Sequence, residues 1–148
     1  MIGLLQRVSC AEVRVRERTV AKISRGLLVL VAVEKDDSTI SAQRLADRLA
    51  GYRVFADSDG KMNLSLQDIG GEILLVPQFT LAADTGKGMR PSFHPAAEPV
   101  QGKQLFEHLC ACCKQLGVTV GQGEFGADMQ VSLVNEGPVT FYLRVNAA

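Results

Sequence analysis

A chain of 148 residues has the size of one domain, and folding at that length buries about 70% of the surface the unfolded chain exposes, so no disulfide or metal staple is required. Apolar residues make up 47% and charged residues 22%, which excludes a disordered polar chain. Lysine plus arginine equals aspartate plus glutamate at 16 each, so the summed field offers no general attraction to nucleic acid or membrane, and any contact with RNA has to be local. Met1 to Leu5 is interrupted too soon by Gln6 and Arg7 to make a signal peptide, and no apolar run approaches the ~20 residues of a membrane span. The expected compartment is the cytoplasm. Of the four cysteines, Cys110, Cys112 and Cys113 crowd together away from Cys10, a spacing from which a disulfide framework cannot easily be drawn. Free thiols follow.

In chain order, Val13 and Val15 alternate with Glu12, Arg14 and Arg16, as in a half-solvated strand. Gly26 then leads into the continuous apolar run Leu27 to Val33, a buried strand. Asp36, Asp37 and Ser38 are N-cap candidates for an amphipathic helix whose stripe is Leu45, Leu49 and Tyr52. Val54 and Phe55 begin another strand, Asp57 to Gly60 is a turn, and the apolar run Ile73 to Val76 ends in Pro77-Gln-Phe-Thr-Leu81, a central strand opening onto a site. Residues 82 to 95 have loop composition and enough length to suspect function. Pro99 starts a second helix with the stripe Leu105, Phe106, Leu109, Cys113 and Leu116, and Gly117 stops it. Val118 to Val120 follows, broken by Gly121-Gln-Gly123, and two final strands, Met129 to Val134 and Val139 to Val145, are joined by Asn135-Glu-Gly-Pro138. The expected fold is α/β: a single strand-rich domain over residues 1–148, a barrel-like mixed sheet with two amphipathic helices, without repeat or linker.

Ordinary catalytic equipment is sparse. His94 lies in the loop and His108 on the second helix, and neither stands near a Gly-x-Ser-x-Gly elbow or a metal-ligand spacing. The cysteines beside His108 point in different directions on a helix and make no tetrahedron, so they are read as helix-packing, weak surface thiols and no metal is expected. Gly86-Lys-Gly-Met-Arg90-Pro lacks the phosphate-loop frame; Lys87 and Arg90 on a glycine-hinged loop suit either contact with a backbone phosphate or a plain solvated loop.

Pro77-Gln-Phe-Thr-Leu81 and Asn135-Glu-Gly-Pro-Val-Thr140 together resemble the two signature motifs of the D-aminoacyl-tRNA deacylases, Ser-Gln-Phe-Thr-Leu and Asn-x-Gly-Pro-Val-Thr. Gln6-Arg7-Val8, Gly26 to Leu30, Gly60-Lys-Met-Asn63, Arg90-Pro-Ser-Phe93 and Phe125-Gly-Ala-Asp-Met129 fall in the family's order. The resemblance covers nearly the whole chain.

It implies a hydrolase, with no cofactor, that cleaves the ester linking a D-amino acid or glycine to the 3′ end of a tRNA, and a homodimer with its sites at the subunit interface. Gln78, Phe79 and Thr80 are then the catalytic positions, facing Gly137-Pro138 of the partner. A peptide before proline can be cis at little cost, and glycine lacks the Cβ that would block a close approach, so two carbonyls can face the ligand α-carbon and reject an L side chain. Read without the resemblance, Glu136-Gly-Pro is a hairpin turn. Phe125 and Met129 match positions that cradle the terminal adenine, where without the resemblance they read as core, and Arg7 is carried over as substrate-binding. Thr80 has no base beside it in the motif, so backbone N–H groups around Phe79 and Thr80 are expected to hold the oxyanion while the substrate 2′-hydroxyl helps activate water.

One position departs from the pattern. The family's serine is Pro77 here, which loses a hydroxyl and an N–H donor. A paralogous class that removes L-alanine from tRNA carries proline there, although Phe79, Asn135 and Val139 match the D-specific class. The alternatives are therefore a relaxed editing deacylase acting on glycyl- or L-alanyl-tRNA and a non-catalytic nucleic-acid-binding module, the latter disfavoured by zero net charge.

Overall fold

The computed structural model describes residues 1–147. Twelve segments follow one another: strands β1 (Ile2–Val15), β2 (Arg18–Ile23) and β3 (Gly26–Ala32), helix α1 (Thr39–Gly51), strands β4 (Phe55–Ala56) and β5 (Met62–Leu64), helix α2 (Leu66–Ile69), strand β6 (Glu72–Pro77), a 3-10 turn (Phe79–Ala82), helix α3 (Pro99–Gln115), and strands β7 (Thr119–Gln122) and β8 (Gln130–Arg144). The main sheet runs β2-β1-β3-β6-β7, with β8 on the other edge of β1. β3–β6 and β6–β7 are parallel and the β1 pairings antiparallel. Parallel neighbours need long crossovers, which α1 and α3 supply.

β2 curls back against β6 and β7, giving the barrel-like closure expected. Inside lie Val8, Val13, Ile23, Leu28, Leu74 and Val76. Outside, α1 and α3 bury Leu45, Leu49, Phe106 and Leu109 against Leu5, Leu27, Val29 and Leu75, each such side chain contributing roughly 1.5–3 kcal/mol. α1 starts where serine can cap it: Ser38 Oγ accepts from the Ile40 N–H at 3.2 Å, and the Ser38 N–H donates to Ser41 Oγ at 3.1 Å. α3 begins with Pro99 at its first turn, and Gly117 follows with a positive φ of 83°.

Several expectations need amendment. Residues 130–144 form one long strand and not two strands joined by a hairpin, because both halves pair with the same strand, β1. β6 stops at Pro77, and Phe79–Ala82 turns as a 3-10 helix. Gly121 lies within β7, where a methyl group would sit 3.3 Å from Leu74 Cδ1 and 3.4 Å from Ala21 Cβ; closeness, not a break, selects the glycine. The four-residue α2, closed by a Ser65–Asp68 capping box, is an addition. Finally, Cys110, Cys112 and Cys113 are buried core thiols and not surface ones, and Cys10 is exposed. Burial pushes the thiols of Cys110 and Cys113 up to about 12.

Candidate active site

The buried run Ile73–Val76 drives β6 through the middle of the sheet and delivers Gln78 to its end. The Gln78 N–H still donates to the Val31 carbonyl at 2.7 Å, and the chain then turns. Within a 3-10 turn the first N–H groups have no internal partner. Those of Phe79 and Thr80 are in that position, whereas the Leu81 and Ala83 N–H groups are taken by Gln78 and Thr80 carbonyls at 3.2 and 3.1 Å. Two donors without a partner among the described residues therefore sit side by side at a strand end. The Thr80 hydroxyl accepts from the Gln78 side-chain amide, a group that cannot take up its proton.

Phe79 is 57% exposed, unusual for its size. It stands edge-to-face on Phe93 of the 83–95 loop at 5.1 Å. Behind this pair opens an apolar cleft of about 380 Å³, walled by Val31, Val33, Pro77, Gln78, Phe93 and Phe125 among others. A second chamber of about 310 Å³ shares Pro77, Gln78, Phe79 and Phe125 and adds Met129 and Val131. Gln78, Phe79, Phe125 and Met129 are thus brought together. Two larger grooves, about 650 and 580 Å³, flank the segment around Glu124. They are lined by charged side chains such as Arg18 and Glu124, and the predominantly apolar space is the one beside Gln78.

Gly137 and Pro138 lie elsewhere. Asn135 pairs with Val8 and Thr140 with Gln6, so residues 136–139 stand against Arg7 alone and bulge from the ladder. The excursion is pinned at its base: Asn135 Oδ1 accepts from the Val139 N–H at 3.1 Å, and Asn135 Nδ2 donates to Thr140 Oγ1 at 2.9 Å. Arg7 braces it, Nε donating to the Glu136 carbonyl at 3.0 Å and Nη1 to the Val54 carbonyl at 2.7 Å. The Gly137-Pro138 peptide is cis, Gly137 has a φ of 141°, and both residues are exposed.

Strands β8, β1, β3 and β6 are successive neighbours, so the excursion and Pro77 stand roughly 14 Å apart across the sheet, and the offset from Leu27 to Val31 adds roughly 13 Å along it. Within one chain the two motifs do not meet. Arg7 belongs with Gly137 and not with the Phe125 cleft. Thr80, exposed, walls neither chamber. His94 contacts Lys35 Nζ at 3.0 Å, His108 is exposed on α3, and no cluster of three metal-ligating side chains occurs among the described residues. Sequence reasoning passed over the Val54 carbonyl, which carries no side-chain signal, and the packing of Phe93 on Phe79.

A family model described as D-Tyr-tRNA(Tyr) deacylase matches residues 4–144. The chain belongs to this family. It is accordingly an enzyme of the hydrolase class. The D-aminoacyl-tRNA deacylase of Pseudomonas fluorescens (strain Pf0-1) is 59% identical over 144 residues, 97% of this chain and 99% of that one. The D-aminoacyl-tRNA deacylase of Nitrosococcus oceani is 57% identical over 148 residues, 100% of this chain and 96% of that one. Among solved structures, that of the c-Myc DNA Unwinding Element Binding Protein is similar with a TM-score of 0.93 at 33% identity, covering 99% of this chain and 100% of that one. A probable eukaryotic D-amino acid tRNA deacylase shares the fold, with a TM-score of 0.84 at 20% identity over 96% of this chain and 97% of its own. No helix among the described residues is long and apolar enough to cross a membrane.

Proposed function

We propose that the chain hydrolyses the ester of D-aminoacyl-tRNA and of glycyl-tRNA, releasing the amino acid and tRNA as a proofreading step of translation in the cytoplasm. The observation that carries this reading is the pair of unpaired N–H donors at Phe79 and Thr80, next to an apolar cleft that Phe79 and Phe125 both wall. Terminal adenine lies against Phe125 and Met129, held by stacking and a soft sulfur rather than read by its edges. That placement brings the ester carbonyl to the two donors, which stabilise the oxyanion as it develops. The substrate 2′-hydroxyl helps activate water, so the protein supplies shape and donors. Lys87 and Arg90, exposed on the 83–95 loop that also carries Phe93, suit a phosphate of the tRNA end.

Chirality calls for a second surface near the α-carbon. Gly137-Pro138 is the candidate, and its separation from Gln78 within one chain supports a homodimer in which the partner's excursion enters the cleft. Its backbone carbonyls then crowd an L side chain and leave room on the D side.

Single-turnover deacylation of D-Tyr-, Gly-, L-Tyr- and L-Ala-tRNA tests the reading, with sedimentation on the same sample. Rapid hydrolysis of the first two by a dimer is expected. Turnover of L-Ala-tRNA at a similar rate establishes the relaxed editing enzyme instead, and Pro77 is the feature that favours it. A nucleic-acid-binding module is suggested by the name of the 33% identical structural relative; tight filter binding of plain duplex DNA at physiological salt, without hydrolysis, is its signature.

A further inference from the structure

Pro77 ends β6, paired with Val31 of β3. On the other side of β6, Leu75 faces Gln122 of β7, and the Gly123 N–H donates to the Leu75 carbonyl at 2.8 Å. A parallel ladder uses every second residue of a strand toward a given neighbour. The next donor toward β7 is therefore residue 77, and its acceptor is the Gly123 carbonyl. Proline has no N–H. The ladder stops there: β7 ends at Gln122, and the Gly123 carbonyl accepts no backbone hydrogen bond among the described residues.

The released segment carries the cleft wall. It turns through the Ala127 N–H to the Glu124 carbonyl at 3.2 Å and through Gly126 at a φ of 79°, placing Phe125 over Gly102 of α3 and Met129 beside Gly123. A methyl group at Gly123 would lie 3.0 Å from Met129 Sδ and 3.2 Å from Pro77 Cδ. The proline ring and the methionine thus close on the same point of backbone.

We propose that Pro77 is a positioning residue that sets the aperture of the cleft. By withholding the ladder donor it keeps residues 123–129 off β6, and so fixes where Phe125 and Met129 meet the ligand. This inference rests on the reading that the cleft holds the terminal adenosine of an aminoacylated tRNA. Restoring a donor extends the β6–β7 ladder by one bond and draws the segment inward.

The test uses the full chain with Pro77→Ala and Pro77→Ser, read in two ways. Amide hydrogen exchange followed by NMR reports whether the new N–H at position 77 is bonded. Steady-state kinetics on D-Tyr-tRNA, with binding of a non-hydrolysable 3′-D-tyrosylamino adenosine, reports the aperture. In both variants the new amide should exchange at least a hundredfold more slowly than an exposed one. KM and the analogue Kd should rise about fivefold, with kcat within twofold of the parent. A rapidly exchanging amide overturns the proposal, as does a protected amide with unchanged KM and Kd. Loss of the fold in both variants also counts against it, since the added bond should reinforce the sheet. A parent chain that hydrolyses no D-aminoacyl-tRNA refutes the proposed function instead, and the exchange result is unaffected by that outcome.

Discussion

Arg7 joins two segments that no strand pairing connects: its guanidinium reaches the Glu136 carbonyl at 3.0 Å and the Val54 carbonyl at 2.7 Å. A planar fork suits two acceptors lying in different directions, and an ammonium does not. Arg7→Lys should therefore free the Gly137 excursion. We expect kcat/KM for D-Tyr-tRNA to fall at least tenfold while the melting temperature moves by only a few degrees, consistent with the modest worth of one exposed and one part-buried hydrogen bond. Kinetics and a thermal melt on one preparation check both.

Gly137→Ala is the harsher change. The new methyl would sit 2.6 Å from Val139 Cγ2 and 2.9 Å from the Val139 nitrogen, at a φ of 141° that side chains rarely adopt. The excursion must rearrange, and activity should fall by a hundredfold or more. Circular dichroism should still report a folded chain, since overpacking of this kind typically costs about 1–3 kcal/mol. Full activity in this variant would remove Gly137 from the specificity surface.

For Thr80→Ala we expect about a tenfold loss of kcat, because backbone donors remain when the hydroxyl goes. A true nucleophile leaves with a loss of many orders of magnitude. Single-turnover deacylation separates these outcomes cleanly, and a folded variant without detectable hydrolysis would falsify the backbone mechanism.

Phe125→Ala should weaken binding of the adenosine analogue by about 1–3 kcal/mol, the usual worth of a base stacked on an aromatic ring. The D over L preference should persist, since Phe125 bears on the base rather than the α-carbon. Calorimetric titration gives the first number and paired D- and L-Tyr-tRNA assays the second.

The cysteines make a prediction about pH. The Cys110 and Cys113 thiols ionise near 9.0 when free and are pushed up to about 12 by burial. A raised folded value means stability is complete below about 9 and is lost as pH rises toward 12, because the unfolded chain releases protons that the folded one keeps. Denaturant titrations at pH 8 and pH 10 should show that fall. At pH 8 a thiol reagent should modify exposed Cys10 promptly and the other three only on unfolding.

How much of this was legible depended on whether the signal was local. The helix opened by Ser38 and the one begun at Pro99 and closed by Gly117 were readable because caps act within a turn or two. The continuity of β8 was not, since Gly-Pro has the same composition in a hairpin as in a bulge, and only the partner strand distinguishes them. Gly121 misled in the same way: it reads as a break, but Ala21 and Leu74, remote in sequence, demand it. Phe125 and Met129 could be proposed for the site only through resemblance, because an aromatic and a methionine look identical in a core and in a cleft wall. Arg7 was proposed by the same route, while the Val54 carbonyl that holds it left no trace in the residue types.

The pairing of β1 with β8 also governs how the chain emerges from a ribosome. One edge of β1 has no partner until residues 130–144 have been made, a delay of roughly ten seconds at ordinary synthesis rates. Throughout that interval a long strand with apolar side chains such as Leu5, Val8 and Val13 presents unpaired backbone to any passing chain. Yield on expression should thus respond to translation speed and to chaperone supply more than to the stability of the finished domain, and slowing codons placed just before β8 should lower it.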